Sequence, residues 1–166
     1  SEGDGPLHEL SDEGWDYTIR QNLTSVMRSN RAAVQRFQLQ GTGGAILNMG
    51  SVLGYSPSPR HFAAHAYATS KAGIEGFSRS LASYYAEEDI RVNVVAPALV
   101  ETPMSGRARE DESIMEFVRR KQPLAGGRIG TPGDLDGAVL CLLGEAGRFV
   151  TGQVLCVDGG WSVTEA

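Results

Sequence analysis

The sequence predicts an α/β fold, a parallel sheet with helices on both of its faces. Three observations predict it. Gly44-Ala45-Ile46-Leu47-Asn48-Met49 is a short apolar run between glycines, the pattern of a strand buried on two sides. Ile90-Arg91-Val92-Asn93-Val94-Val95-Ala96-Pro97 and Val154-Leu155-Cys156-Val157 read as two more strands. Segments with apolar residues at helical spacing lie between them, and strand alternating with helix implies a parallel sheet.

The elements follow in order. Ser11 is an N-cap candidate, with Asp12 and Glu13 in the first turn. Trp15, Ile19, Leu23, Val26, Met27, Val34 and Phe37 repeat at helical spacing, which predicts one long helix from about 12 to 39. Asn22 lies inside it, where Asn is disfavoured. It is either an exposed polar residue or a functional one. Ser51 puts a hydroxyl at the C-terminal end of the first strand, the side on which open α/β sheets bind ligands. Pro57 and Pro59 exclude a helix from the loop 55–64. His61 and His65 could bind a metal only if helical, and nothing nearby completes a ligand set, so no metal site is expected.

Tyr67-Ala-Thr-Ser-Lys71 then opens a second helix that continues through Leu81. Spacing of four puts the phenol and the amine on one helix face. A nearby ammonium favours the phenolate and is expected to lower the tyrosine pKa. Such a tyrosine can give a proton to a carbonyl or take one from an alcohol. A solvated pair on an exposed face is the plain alternative. Between Met104 and Gly130 the chain is polar, with a short amphipathic patch at Ile114, Met115, Phe117 and Val118. Thr131-Pro132-Gly133-Asp134 starts a helix running to about Leu143, with Thr as N-cap and Pro in the first turn.

Composition narrows the function. At 166 residues with 41% hydrophobic content, the chain is long enough for one core. A net charge of −5 argues against a nucleic-acid partner. No apolar run reaches the length of a membrane span and no secretory leader is visible, so a cytoplasmic protein is expected. Cys141 and Cys156 sit among apolar neighbours and are expected to be buried thiols.

Taken together, strand-end Ser51, the Tyr67/Lys71 pair, the Arg91-Val92-Asn93 strand, Pro97 with Thr102, Thr151-Gly152-Gln153 and Asp158-Gly159-Gly160 resemble the classical short-chain dehydrogenase/reductase family. The resemblance implies the C-terminal part of a doubly wound Rossmann-like sheet. It implies one partial domain over 1–166, with 104–130 as a candidate substrate lid. It implies hydride transfer between NAD or NADP and a small carbonyl or alcohol, with Asn22, Ser51, Tyr67 and Lys71 as catalytic residues. Tyr67, Lys71, Pro97, Ala98, Val100 and Thr102 would contact the cofactor, and the protein would be a dimer or homotetramer. The family's Gly-rich pyrophosphate turn and its Asn-Ala-Gly segment do not occur. Neither Gly41-Thr42-Gly43-Gly44 nor Gly126-Gly127-Arg128-Ile129-Gly130 has the strand-turn-helix setting of a dinucleotide fingerprint. By the resemblance, about the first third of a family member is missing. The rival expectation is therefore a catalytically silent, truncated fragment acting as an oligomerisation or interaction module, with an open edge at the strand 45–50.

Overall fold

The computed structural model describes residues 4–58 and 60–165; Pro59 of the predicted loop lies outside them. Three parallel strands form the sheet, β1 (Gly44–Met49), β2 (Ile90–Pro97) and β3 (Val154–Val157), in the order β1-β2-β3. Ile46 pairs with Val92, and Val94 with Val154.

The long N-terminal helix forms as three joined pieces: α1 (Asp12–Ile19), a π-helical turn (Arg20–Thr24) and α2 (Ser25–Gln40). Ser11 caps it, its Oγ accepting from Gly14 N at 3.1 Å. Gly41 ends it at φ 66, a left-handed turn that suits glycine. The predicted stripe is right, but the helix is not uniform. It widens through the π-helical turn Arg20–Thr24, which holds Asn22.

From β1 the chain passes through a 3₁₀ turn (Val52–Gly54) and an irregular loop into α3 (His65–Tyr85), which leads back to β2. Beyond β2 come α4 (Gly106–Glu110), α5 (Glu112–Lys121) and a one-turn α6 (Leu124–Gly127). The predicted start at Thr131 is present as a capping box on a 3₁₀ turn (Pro132–Leu135), which runs into α7 (Asp136–Leu143).

Successive side chains on a strand face opposite ways, so neighbours on β2 report both faces. Val92 packs in one cluster with Val34 of α2 and Ala82 of α3. Arg91, next to it, reaches the C-terminal end of α7, donating to Leu142 O at 2.7 Å and Leu143 O at 3.4 Å. This satisfies carbonyls that the helix itself leaves unpaired. Helices thus cover both faces. The two crossovers step the same way across the sheet on opposite faces, so they have opposite hands, and one departs from the right-handed rule.

A polar cluster locks the α2/α3 face. Asn30 and Asn48 exchange amide hydrogen bonds of 2.8 and 2.9 Å, and Asn48 also donates to Ser78 Oγ at 2.9 Å. All three side chains are buried. Both cysteines, expected in the interior, are exposed. Apolar neighbours did not decide their burial: Leu140 and Leu155 beside them are open to solvent too. Cys156 Sγ lies 2.8 Å from Tyr55 Oη, and burial pushes that phenol upward in pKa.

Candidate active site

The C-terminal end of β1 and the first turns of α3 bring three of the predicted side chains together. Ser51 stands two residues past the end of β1 and is buried, and its Oγ accepts from Leu53 N at 3.2 Å. Gly54 lets this turn lie against α3: a Cβ there would stand 3.0 Å from Ala72 N. Tyr67 sits in the first turn of α3, with its phenol near enough to the Ser51 side chain for that hydroxyl to act on it. One turn on, Lys71 is buried with its Nζ 5.4 Å from the Tyr67 ring centroid. Lys71 Nζ donates to Met49 O at 2.9 Å, which anchors the ammonium to the strand end.

The electrostatics differ from the expectation. Burial raises the Tyr67 pKa, and the Ser51 hydroxyl lowers it in part. Burial also pulls Lys71 downward. Desolvation therefore outweighs the attraction that the spacing alone suggests, and the phenol is held neutral. A neutral phenol beside a hydroxyl is a proton donor ready for an oxygen acceptor.

Asn22 lies in the π turn, partly buried, and its Nδ2 donates to Thr18 O at 3.0 Å. The turn packs on α3 where Leu23 approaches Gly73. Pro97 ends β2, and Ala98, Leu99, Val100 and Thr102 continue from it over the sheet end. Val100 bridges to Gly130, and Thr102 starts a 3₁₀ turn (Pro103–Ser105).

Sequence reasoning missed the side chains that hold these pieces. Gln122, buried, clamps Leu99 from both sides: Leu99 N donates to its Oε1 at 3.0 Å, and its Nε2 donates to Leu99 O at 3.2 Å. Trp161, also buried, stacks edge-on against Phe117 at 5.4 Å and lies 6.1 Å from Phe62. It shares a cluster with Val52, Ile114 and Val118, so α5 packs its apolar side against the loop after β1. His61 is outside any helix and tilts over Phe117 at 4.7 Å, while His65 opens α3 exposed. Among the described residues no group of His, Cys, Asp or Glu could hold a metal ion, and no helix is long and apolar enough to cross a membrane.

Chemically, the site offers a proton donor, a hydroxyl beside it, and a buried ammonium whose three N–H groups exceed its one carbonyl partner. That donor set fits a ligand bearing sugar hydroxyls next to a carbonyl or alcohol oxygen.

Known proteins share this arrangement of chain. A family model described as "Enoyl-(Acyl carrier protein) reductase" matches residues 1–162. The chain is 35% identical over 153 residues to 2-dehydro-3-deoxy-D-gluconate 5-dehydrogenase of Escherichia coli, covering 92% of this chain and 58% of that protein. It is 40% identical over 157 residues to a "probable short-chain type dehydrogenase/reductase" of Bradyrhizobium diazoefficiens, covering 95% of this chain and 53% of that one. Its fold superposes with a TM-score of 0.91, at 27% identity, on the crystal structure of a gluconate 5-dehydrogenase from Burkholderia cenocepacia in complex with NADP and tartrate. That match covers 98% of this chain and 61% of the other. The chain thus spans less than two thirds of the length of these relatives. With the strand-end serine, the Tyr67/Lys71 helix and the parallel sheet in place, the chain belongs to the short-chain dehydrogenase/reductase family.

Proposed function

We propose that this chain carries the proton-transfer half of an NAD- or NADP-dependent oxidoreductase acting on a small carbonyl or alcohol. One observation carries the reading: the Ser51 hydroxyl and the Tyr67 phenol lie together at the end of β1, with the Lys71 ammonium 5.4 Å from the ring. A bound nicotinamide supplies or accepts the hydride. Tyr67 Oη gives its proton to the substrate oxygen as carbonyl becomes alcohol, and takes it back in oxidation. Ser51 Oγ hydrogen-bonds the same oxygen and polarises the carbonyl. Lys71 holds ribose hydroxyls and stabilises the phenolate left after proton transfer. Asn22 orders a water that links Lys71 to solvent. Pro97, Ala98, Val100 and Thr102 line the nicotinamide, and 104–130 closes over the substrate.

The same reading makes the protein a cytoplasmic homo-oligomer. A groove between α2 and α3 is lined by Met27, Val34, Phe77 and Leu81. Leu140 and Phe149 expose apolar surface on the other side. Both support contact with further copies of the chain.

Titration of NADH and NADPH with a panel of small carbonyl compounds tests the function. Saturable cofactor oxidation that vanishes in Tyr67→Phe supports it. A folded oligomer that binds neither nucleotide would instead favour an interaction module.

A further inference from the structure

We propose that Asp4 is a positioning residue for Tyr67, acting as a remote cap on the helix that carries it. The first N–H groups of a helix have no partner within it and are usually satisfied by the side chain just before. α1 follows this rule through Ser11 and α5 through Asp111. α3 does not: its N-cap position is Ala64, whose methyl group accepts nothing. Asp4 takes that place from far away in the chain. Its Oδ1 accepts from Ala66 N at 3.1 Å and its Oδ2 from Tyr67 N at 2.8 Å. Both bonds are charge-assisted and sit at the positive end of the helix dipole.

The consequence reaches the phenol. Helical side chains lean back toward the N-terminus, so the Tyr67 ring lies over the turn that Asp4 ties down. The loop before α3 has little regular structure of its own, so it leaves the first turn of α3 weakly held. Asp4 fixes the Tyr67 backbone, and with it the distance from the phenol to Ser51. Reactions of this kind lose rate steeply when a reacting group shifts by an ångström.

This inference rests on the reading of Tyr67 as the proton donor, and its test has two separable arms. The first arm is amide hydrogen exchange in the full chain. Ala66 and Tyr67 amides are expected to exchange at least about tenfold faster in Asp4→Ala. The double variant Asp4→Ala/Ala64→Asp, which supplies a local cap, is expected to slow them again. Unchanged exchange in Asp4→Ala overturns the cap whatever the chemistry of the site.

The second arm is turnover, measured where thermal melting shows each variant fully folded. kcat is expected to fall about ten- to a hundredfold in Asp4→Ala, with KM for the nicotinamide nucleotide unchanged. Asp4→Asn, which keeps one oxygen acceptor, is expected to recover part of it. Faster exchange with unchanged kcat confines Asp4 to stability and overturns the positioning role. A wild-type protein that transfers no hydride removes the proposed function and the positioning role together, and the exchange arm still decides the cap.

Discussion

Lys71 Nζ is bonded to the carbonyl of Met49 at 2.9 Å, which ties the second turn of α3 to the last residue of β1. Strand and helix are separated by a long loop, yet this bond gives the ammonium a fixed place beside the phenol. Lys71→Met removes it and leaves a carbonyl without its donor. Loss of a hydrogen bond to a charged group costs about 1.5–3 kcal/mol. The expected outcome is a lower melting temperature together with weaker nucleotide binding, read by calorimetric titration. Unaltered affinity would show that Lys71 acts on structure alone.

Tyr67→Phe keeps the ring and removes only the hydroxyl. General acid catalysis typically contributes about 10²–10⁴-fold, so kcat is expected to fall by about that factor while nucleotide affinity stays near the wild-type value. The Ser51 hydroxyl beside the phenol keeps its bond from Leu53 N. The fold should therefore survive, and circular dichroism checks it.

The pH dependence has a definite sign. Burial holds the Tyr67 pKa above its ordinary value near 10, and the Ser51 hydroxyl is the influence that lowers it. A group with a raised folded pKa contributes stability that is complete below the unfolded pKa and is lost as pH rises through the folded one. Wild-type stability should thus decline above about pH 10, and Tyr67→Phe should flatten its share of that decline. Ser51→Ala should move the ionisation of Tyr67 higher still. Ultraviolet titration of the phenolate, with Tyr67→Phe as the blank, measures the shift; a downward movement would contradict the role given to Ser51.

The buried amide pair makes a stability prediction independent of chemistry. Asn48→Ala strips Asn30 of its side-chain partner on β1 and removes the donor to Ser78. An unsatisfied buried polar group costs about 1–3 kcal/mol, so chemical denaturation should show a loss of that order. The double variant Asn30→Ala/Asn48→Ala should lose less than the sum of the two single changes, because it leaves neither amide without its mate.

What could be read from the chain was local. Glycine and proline punctuation marked β1 and β2, the Thr131-Pro132 start marked the turn into α7, and the four-residue spacing put Tyr67 and Lys71 on one face. What escaped depends on pairs far apart in sequence. Asn30 meets Asn48, Gln122 meets Leu99 and Asp4 meets Tyr67 only after folding, and no periodicity announces them. The sign of the Tyr67 shift escaped for the same reason, since desolvation is set by what covers the ring. The cysteines misled because apolar neighbours in sequence are not neighbours in a core. The π turn at Asn22 was hidden because its apolar stripe reads as ordinary α-helix.

Gln122 offers the sharpest separation between folding and cofactor positioning. Its carboxamide meets both backbone groups of Leu99, as a neighbouring strand would. Leu99 lies between Ala98 and Val100, in the stretch proposed to contact the nicotinamide, and Gln122 lies at the end of α5, in the candidate lid. One side chain thus couples the proposed cofactor loop to the proposed lid. Gln122→Ala leaves Leu99 N unpaired, while Leu99 O keeps its bond from Gly130 N at 2.9 Å; Gln122→Glu keeps an acceptor for Leu99 N and sets a charge against Leu99 O. If the clamp orders the cofactor loop, Gln122→Ala should weaken nucleotide binding by about tenfold, the equivalent of one net hydrogen bond. Gln122→Glu should weaken it further, because a carboxylate facing a carbonyl repels it. Fluorescence titration of NADH and NADPH measures both. Equal affinity in all three proteins, with only the melting temperature reduced, would assign Gln122 to packing of α5 and separate the lid from the cofactor loop.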